Sequence, residues 1–223
     1  GIAVLVAGVV LKFPESPAES HNQRVSTGKN DCPTYLMMRK VSFWKFYFYF
    51  VTLCAVGNTV ISLGRDMALG VGATGTVAAL SVGLMSLCNG LGRVISGIVY
   101  DALGRKKAMT CANVLEFMAL AMICLANIVG SIIMIIVGFC LAGLSYGFAP
   151  TITASVIGTY FGEKNFSSNF SVANTLMIPT SFLAGMAGAF AGRTGSYTMS
   201  LIMLIVLAAI SLVLNLSVQD DRG

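Results

Sequence analysis

Charge is scarce in this sequence: only 10% of its 223 residues are Asp, Glu, Lys or Arg. A soluble domain carries roughly 25%, so a water-bathed globule is excluded. Histidine occurs once, as His21, within a polar stretch where a lone imidazole reads as solvated. A histidine-built metal or acid–base centre therefore lacks its ligands. The six cysteines, Cys32, Cys54, Cys88, Cys111, Cys124 and Cys140, are scattered and form no CxxC pair. That spacing argues against a disulfide framework or a zinc site, and it reads as small apolar residues in helices. There is no GxxxxGK[ST] loop, so nucleotide-driven work has no motif here. No cofactor is expected, and an enzyme is the weakest reading.

What the chain has in abundance is apolar sequence. Hydrophobic residues make up 56% of it, and the mean hydropathy is +0.83. Uncharged runs cover 46–64, 67–92, 117–162, 165–192 and 194–219. A membrane-spanning helix needs about 20 apolar residues. A transmembrane barrel would instead show alternating segments of about 10 residues, and none occurs. The fold class is therefore an all-α polytopic membrane protein, with the lipid bilayer as its first partner.

Polar punctuation predicts six spans, at 43–63, 74–100, 108–127, 131–157, 168–191 and 196–217. The longest run must turn within Asn127-Ile128-Val129-Gly130-Ser131, where Asn, Gly and Ser favour a tight connection. Placing 12–45 in the cytoplasm puts eleven of the fourteen basic residues on that side and only Arg65 and Arg193 opposite; the last, Arg93, lies inside a span. Such asymmetry fits the positive-inside rule. The net charge of +5 is thus a topology signal and not a mark of nucleic-acid binding.

Residues 1–12 open inside an apolar run too short to cross a bilayer, and they read as the tail of a helix whose start lies upstream. Residues 13–41, rich in Pro, Ser, Asn and charge, read as a flexible cytoplasmic linker ending at the headgroups with Arg39-Lys40. Residues 42–218 form the expected six-helix bundle and 219–223 a cytoplasmic tail.

After the second complete span the chain reads Gly97-Ile98-Val99-Tyr100-Asp101-Ala102-Leu103-Gly104-Arg105-Lys106-Lys107. Physically, Gly97 allows close helix packing, Asp101 ends the span, Gly104 turns the chain, and three cations face the cytoplasm. The string resembles the GxLaDRxGRK signature of the major facilitator superfamily. Gly97, Asp101, Gly104, Arg105 and Lys106 match it, and Ala102 stands where a basic residue is usual. In that family the signature follows the second helix of each six-helix half. The resemblance therefore implies the end of helix six, the central loop and helices seven to twelve. A missing N-terminal six-helix half becomes a partner, and the plasma membrane the expected location.

A narrower resemblance is carried by Asn89-Gly90-Leu91-Gly92-Arg93 and by Tyr160-Phe161-Gly162-Glu163-Lys164-Asn165-Phe166. Both strings are similar to the oxalate/formate antiporter family, and monocarboxylate transporters share the arginine. The resemblance implies a secondary active carrier of small organic anions. Its alternatives are a proton-coupled monocarboxylate symporter, or a sensor or scaffold with the same fold. Oxalate carriers of that family pair the eighth-helix arginine with a lysine in the eleventh helix. Here Met177 lies near that place, which favours a monocarboxylate.

Arg93 lies eight residues before Asp101, roughly 12 Å into the bilayer. An arginine at that depth costs at least about 2.5 kcal/mol and so faces protein or a water-filled cavity. Leu84, Leu87, Leu91, Ile95 and Ile98 share one helical face, and Ser86, Asn89, Gly90, Arg93 and Gly97 the other. A guanidinium fork fits a carboxylate with two parallel hydrogen bonds, so Arg93 is the candidate anion ligand, with Asn89 one turn before it. The competing reading is an internal ion pair with Glu116, whose functional form is a proton-carrying carboxyl. Asn58, Tyr146 and Asn174 lie on polar stripes of other helices and complete the candidate substrate site; small and polar stripes also serve plain helix packing. Asp101 is expected to act near the positive start of the eleventh helix. Asp101→Asn should therefore slow substrate turnover more than it weakens substrate binding, and unchanged turnover in a vesicle assay would count against a gating role.

Overall fold

The computed structural model describes residues 31–218. The helix tail expected at 1–12, the linker before residue 31 with His21, and the tail at 219–223 lie outside the described residues. The helices are α1 (Thr34–Arg39), α2 (Val41–Gly70), α3 (Gly75–Leu103), α4 (Arg105–Val129), α5 (Ile132–Phe161), α6 (Phe166–Asn174), α7 (Met177–Thr194) and α8 (Thr198–Ser217). With α6 and α7 counted as one span, six helical segments are long and apolar enough to cross a membrane. The described residues contain no strand.

The expected punctuation sets the boundaries. Thr74 caps α3 by accepting a hydrogen bond from the Val77 amide at 3.4 Å. Gly104 links α3 to α4 at a φ of 79°, a backbone conformation that few other residues adopt. The turn at 127–131 closes on Gly130 in the left-handed region, and Ser131 caps α5 through the Met134 amide. The fifth span, expected to be continuous, is broken at Thr175-Leu176. Pro179 explains the break: it has no N–H to donate to the carbonyl of Thr175, and its ring crowds that carbonyl.

The layout follows from which faces are apolar or small. α2 is the inner helix: 67% of its most apolar stretch is buried, against only 17% for α3. It packs on α8, α7, α5 and α3. On α3 the leucine and isoleucine face at 84, 87, 91, 95 and 98 is exposed, as a lipid-facing stripe should be. Its buried face is Ala78, Ser81, Met85, Gly92 and Ser96, and this face meets α5.

At that crossing the two backbones touch. A Cβ on Gly143 would strike the carbonyl oxygen of Met85, one on Gly147 the carbonyl of Asn89, and one on Gly92 the carbonyl of Leu144. Gly143 and Gly147 form a small-xxx-small pair, the arrangement that lets helices approach closely in lipid. Gly97, expected to be a close-packing position, is not one: its Cβ would sit an ordinary 3.8 Å from Thr151. Polar side chains tie the other helices. The Asn113 amide donates to Ser211 Oγ at 2.6 Å, and Asn215 donates to Asn113 Oδ1 at 3.1 Å, joining α4 to α8. Ser200 Oγ donates to the Ala187 carbonyl at 2.6 Å, joining α8 to α7.

Gly147→Ala should destabilise the bundle by about 1–3 kcal/mol through overpacking. Gly83→Ala, where a Cβ meets open space, should be neutral or stabilising by up to about 1 kcal/mol. Thermal unfolding of both variants in detergent checks the contrast; equal midpoints would refute the tight crossing.

Candidate functional site

Arg93 leaves α3 beside the α3–α5 crossing. Its carbonyl accepts from Ser96 Oγ at 2.9 Å and from Thr151 Oγ1 at 3.3 Å. Its backbone nitrogen lies 3.0 Å from where a Cβ on Gly147 would stand. The side chain itself is exposed on the surface of this bundle. Tyr146, half-buried on α5, lies within electrostatic reach of Arg93. The same ring covers Gly57 on α2, where a Cβ would come within 2.6 Å of Tyr146 Cδ2. Tyr146 therefore reaches from the arginine to α2, next to half-buried Asn58. Pro150, one turn further on, has no N–H for the Tyr146 carbonyl and so frees a backbone acceptor here. Asn89 is half-buried, and its Oδ1 has no hydrogen-bond partner. Arg93, Asn89, Tyr146 and the Gly57-Asn58 step thus gather about one helix crossing.

Asn174 does not join them. It is exposed at the end of α6, and its neighbour Thr175 bonds Tyr47 through their hydroxyls at 3.1 Å. Tyr47 precedes Asn58 on α2 by eleven residues, about 16 Å along the helix. The break before Pro179 holds Asn174 at the level of Tyr47.

Among the described residues no ion pair joins Arg93 to Glu116, which overturns the internal-pair reading. Such a pair needs α3 and α4 to pack side by side at the depth of both charges. Both helices instead make their main contact with α5, which stands between them. Glu116 is 2% exposed and lines a small cavity with Val56, Gly57, Val60, Ala119, Leu120, Ala142 and Ser145. Asn113, three residues earlier on α4, is the polar side chain that approaches the carboxyl closely enough to hydrogen-bond with it on a small adjustment. One N–H of its amide is given to Ser211, and neither carboxyl oxygen has a partner within hydrogen-bond distance.

The loop motif divides in the structure. Asp101, Lys106 and Lys107 are exposed, as expected of a membrane-surface loop. Arg105, expected to face the cytoplasm with them, is 4% exposed. Its guanidinium lies 4.9 Å from the ring centres of both Phe46 on α2 and Tyr160 on α5. A planar, weakly hydrated cation stacks well between aromatic faces, and this draws Arg105 inward.

The described end of the linker is likewise not loose chain. Thr34 Oγ1 donates to Asn169 Oδ1 at 2.8 Å, and Asn169 Nδ2 donates to the Cys32 carbonyl at 3.1 Å. The Cys32 amide donates to the Phe161 carbonyl at 3.0 Å. Asn169 is fully buried, and Met37 of α1 packs with Phe43, Ile157, Phe161 and Ala173. Asn169 escaped notice in the sequence because nothing in its neighbourhood marks a partner 137 residues away. The Gly143–Gly147 pair has a sequence signal of its own, the small-xxx-small spacing.

Comparisons with known proteins bear on this arrangement. The sequence profile described as Major Facilitator Superfamily matches residues 46–222. The "Oxalate:formate antiporter" of Oxalobacter formigenes is 29% identical over 213 residues, covering 92% of this chain and 49% of that protein. The "Uncharacterized MFS-type transporter YhjX" of Escherichia coli (strain K12) is 24% identical over 172 residues, covering 77% of this chain and 42% of that protein. The chain spans about half the length of these curated relatives.

A double-mutant cycle of Arg105→Lys with Phe46→Leu should return a coupling of about 0.5–2 kcal/mol in unfolding experiments. Additive effects would mean that the ring contact contributes nothing.

Proposed function

The chain belongs to the Major Facilitator Superfamily, and we propose that it carries the anion site of a secondary active carrier for small organic anions. The observation that supports this reading is Arg93. A permanent cation stands at mid-span, unpaired with Glu116, exposed on the bundle surface and flanked by Tyr146 and an unsatisfied Asn89 oxygen. Lipid is a poor environment for such a group, whereas a water-filled cleft against a second six-helix bundle is a good one. Midplane sites between two rocking bundles are the common arrangement of secondary transporters. In this reading the relatives, about twice as long, include the other bundle.

Arg93 binds the carboxylate through its planar fork, Tyr146 packs against the substrate and can hydrogen-bond to it, and Asn89 and Asn58 add polar contacts. Carboxylate exchange of the oxalate/formate type is the preferred mode. A monocarboxylate is preferred over oxalate because residues 165–192 bring no second cation. The first residue of α7 is Met177. The motif at Gly97, Asp101, Gly104, Arg105 and Lys106 works at the cytoplasmic end, with residues 13–41 and the C-terminus on that side. Asn174, exposed at the helix break, is left to contact the other bundle. The site sits in the plasma membrane.

Counterflow of labelled formate and oxalate in proteoliposomes of the full-length protein tests the reading. Arg93→Ala should reduce exchange at least tenfold, about 1.4 kcal/mol or more of lost anion binding, with Arg93→Lys intermediate. Tight oxalate exchange that survives Arg93→Ala would overturn both the site and the monoanion preference. Absence of exchange or uptake of any small carboxylate would favour the sensor or scaffold.

A further inference from the structure

We infer that Cys88 on α3 and Cys140 on α5 form a dithiol site at the lipid edge of the helix crossing, one that an organic hydroperoxide dissolved in the bilayer closes to a disulfide. The inference stands apart from the anion-carrier reading. It starts from the crossing. A Cβ on Gly143 would stand 3.2 Å from the Cβ of Cys88 and would strike the Met85 carbonyl. Cys140 is three residues before Gly143, on the same side of α5. The thiols of Cys88 and Cys140 approach each other closely enough to hydrogen-bond on a small adjustment. Both cysteines are free and half-buried. A disulfide needs Cβ atoms about 3.5–4.5 Å apart, and helices whose backbones touch can bring side chains that close. The contacts at Gly92, Gly143 and Gly147 also fix the separation of the two helices, so the thiols meet without closing a loose loop.

The surroundings say what can reach the pair. Leu84 and Leu91, about one turn to either side of Cys88, belong to the exposed apolar stripe of α3. Cys88 lies five residues from Arg93, about 140° around the helix, and so on the other flank of the crossing from the anion site. Among the described residues no group of three or more His, Cys, Asp or Glu could hold a metal ion, so the pair lacks the further ligands of a structural zinc site. An oxidant arriving through lipid has to be neutral, because charge is costly there, and it has to accept two electrons without leaving charge behind. An organic hydroperoxide meets both requirements.

The chemistry then runs through neutral species. One sulfur attacks the terminal oxygen of the hydroperoxide. The O–O bond breaks, the thiol proton passes to the departing oxygen, and the hydroperoxide becomes an alcohol. The attacked cysteine is now a sulfenic acid. The second thiol attacks its sulfur, an S–S bond forms, the S–O bond breaks, and the hydroxyl leaves with the remaining thiol proton as water. Two thiols have lost two electrons, and one hydroperoxide has become alcohol and water. A resolving thiol at hand traps the sulfenic acid before it is oxidised further. The product pins α3 to α5 by a bond that a dithiol reductant can open.

Peptide mapping of the full-length protein in liposomes tests the site. After cumene hydroperoxide the protein is denatured, capped with maleimide and digested without reductant. The Cys88 and Cys140 peptides should appear joined, two hydrogens lighter than their sum, and should separate after dithiothreitol. Cys88→Ser and Cys140→Ser should each abolish the joined species, with the alanine variants as substitutes if a serine variant does not fold. Both cysteines recovered with maleimide, or one recovered as sulfinic acid beside a free partner, overturns the site. Hydrogen peroxide added in water tests the route. With each rate divided by that of the same oxidant on free glutathione, cumene hydroperoxide should close the bridge at least tenfold faster. Equal quotients overturn access from lipid. Neither readout involves anion exchange, so failure of the carrier reading leaves both intact.

Discussion

At Gly92, Gly143 and Gly147 the backbones of α3 and α5 meet without intervening side chains, and the rest of the bundle is arranged around that contact. Lipid tails are as apolar as leucine, so burial of apolar surface does little to hold helices together in a bilayer. Close van der Waals packing and interhelical hydrogen bonds take its place. Because α3 lies so close to α5, its leucine and isoleucine stripe faces outward and Arg93 stands beside Tyr146. Because α4 also packs chiefly on α5, Glu116 is cut off from α3. One glycine-lined crossing thus separates the two intramembrane charges.

These two charges then meet opposite conditions. Arg93 stands exposed at the edge of the bundle. Glu116 is buried in a cavity lined by Val, Ala, Gly, Leu and Ser, with no cation in that lining. A guanidinium does not give up its proton, so Arg93 needs an anion or water. A carboxylate can become neutral, so Glu116 needs neither. The difference in side-chain chemistry matches the difference in placement.

Interhelical hydrogen bonds to backbone carbonyls recur through the bundle: Tyr49 to Met109, Ser145 to Ala112, Thr180 to Val51 and Ser200 to Ala187. Each satisfies a hydroxyl that lipid would leave bare. At the end of the bundle that carries the 101–107 loop the ties are different in kind. Arg105 between two rings ties α4 to α2 and α5, and Asn169 ties α6 to α1 and the chain just before it. The conformational step proposed for a carrier has to work against those ties or carry them along as a unit.

The all-helical class, the spans, the turn at Gly130 and the exposed lipid stripe of α3 were set by the order of residues alone. These features depend on local periodicity and on residues close in sequence, so the bilayer and the helix geometry suffice to predict them. Pro179 was equally visible, and the break it imposes follows from its missing N–H. The neighbours of Arg93 and Glu116 were not determined that way. Whether consecutive helices pack together depends on where small residues on distant segments allow backbones to touch, and Gly143 and Gly147 placed α5 between α3 and α4. For the same reason Arg105 turned inward and Asn169 found Cys32 and Thr34, since aromatic faces and carbonyls far along the chain are brought near only by the folded bundle.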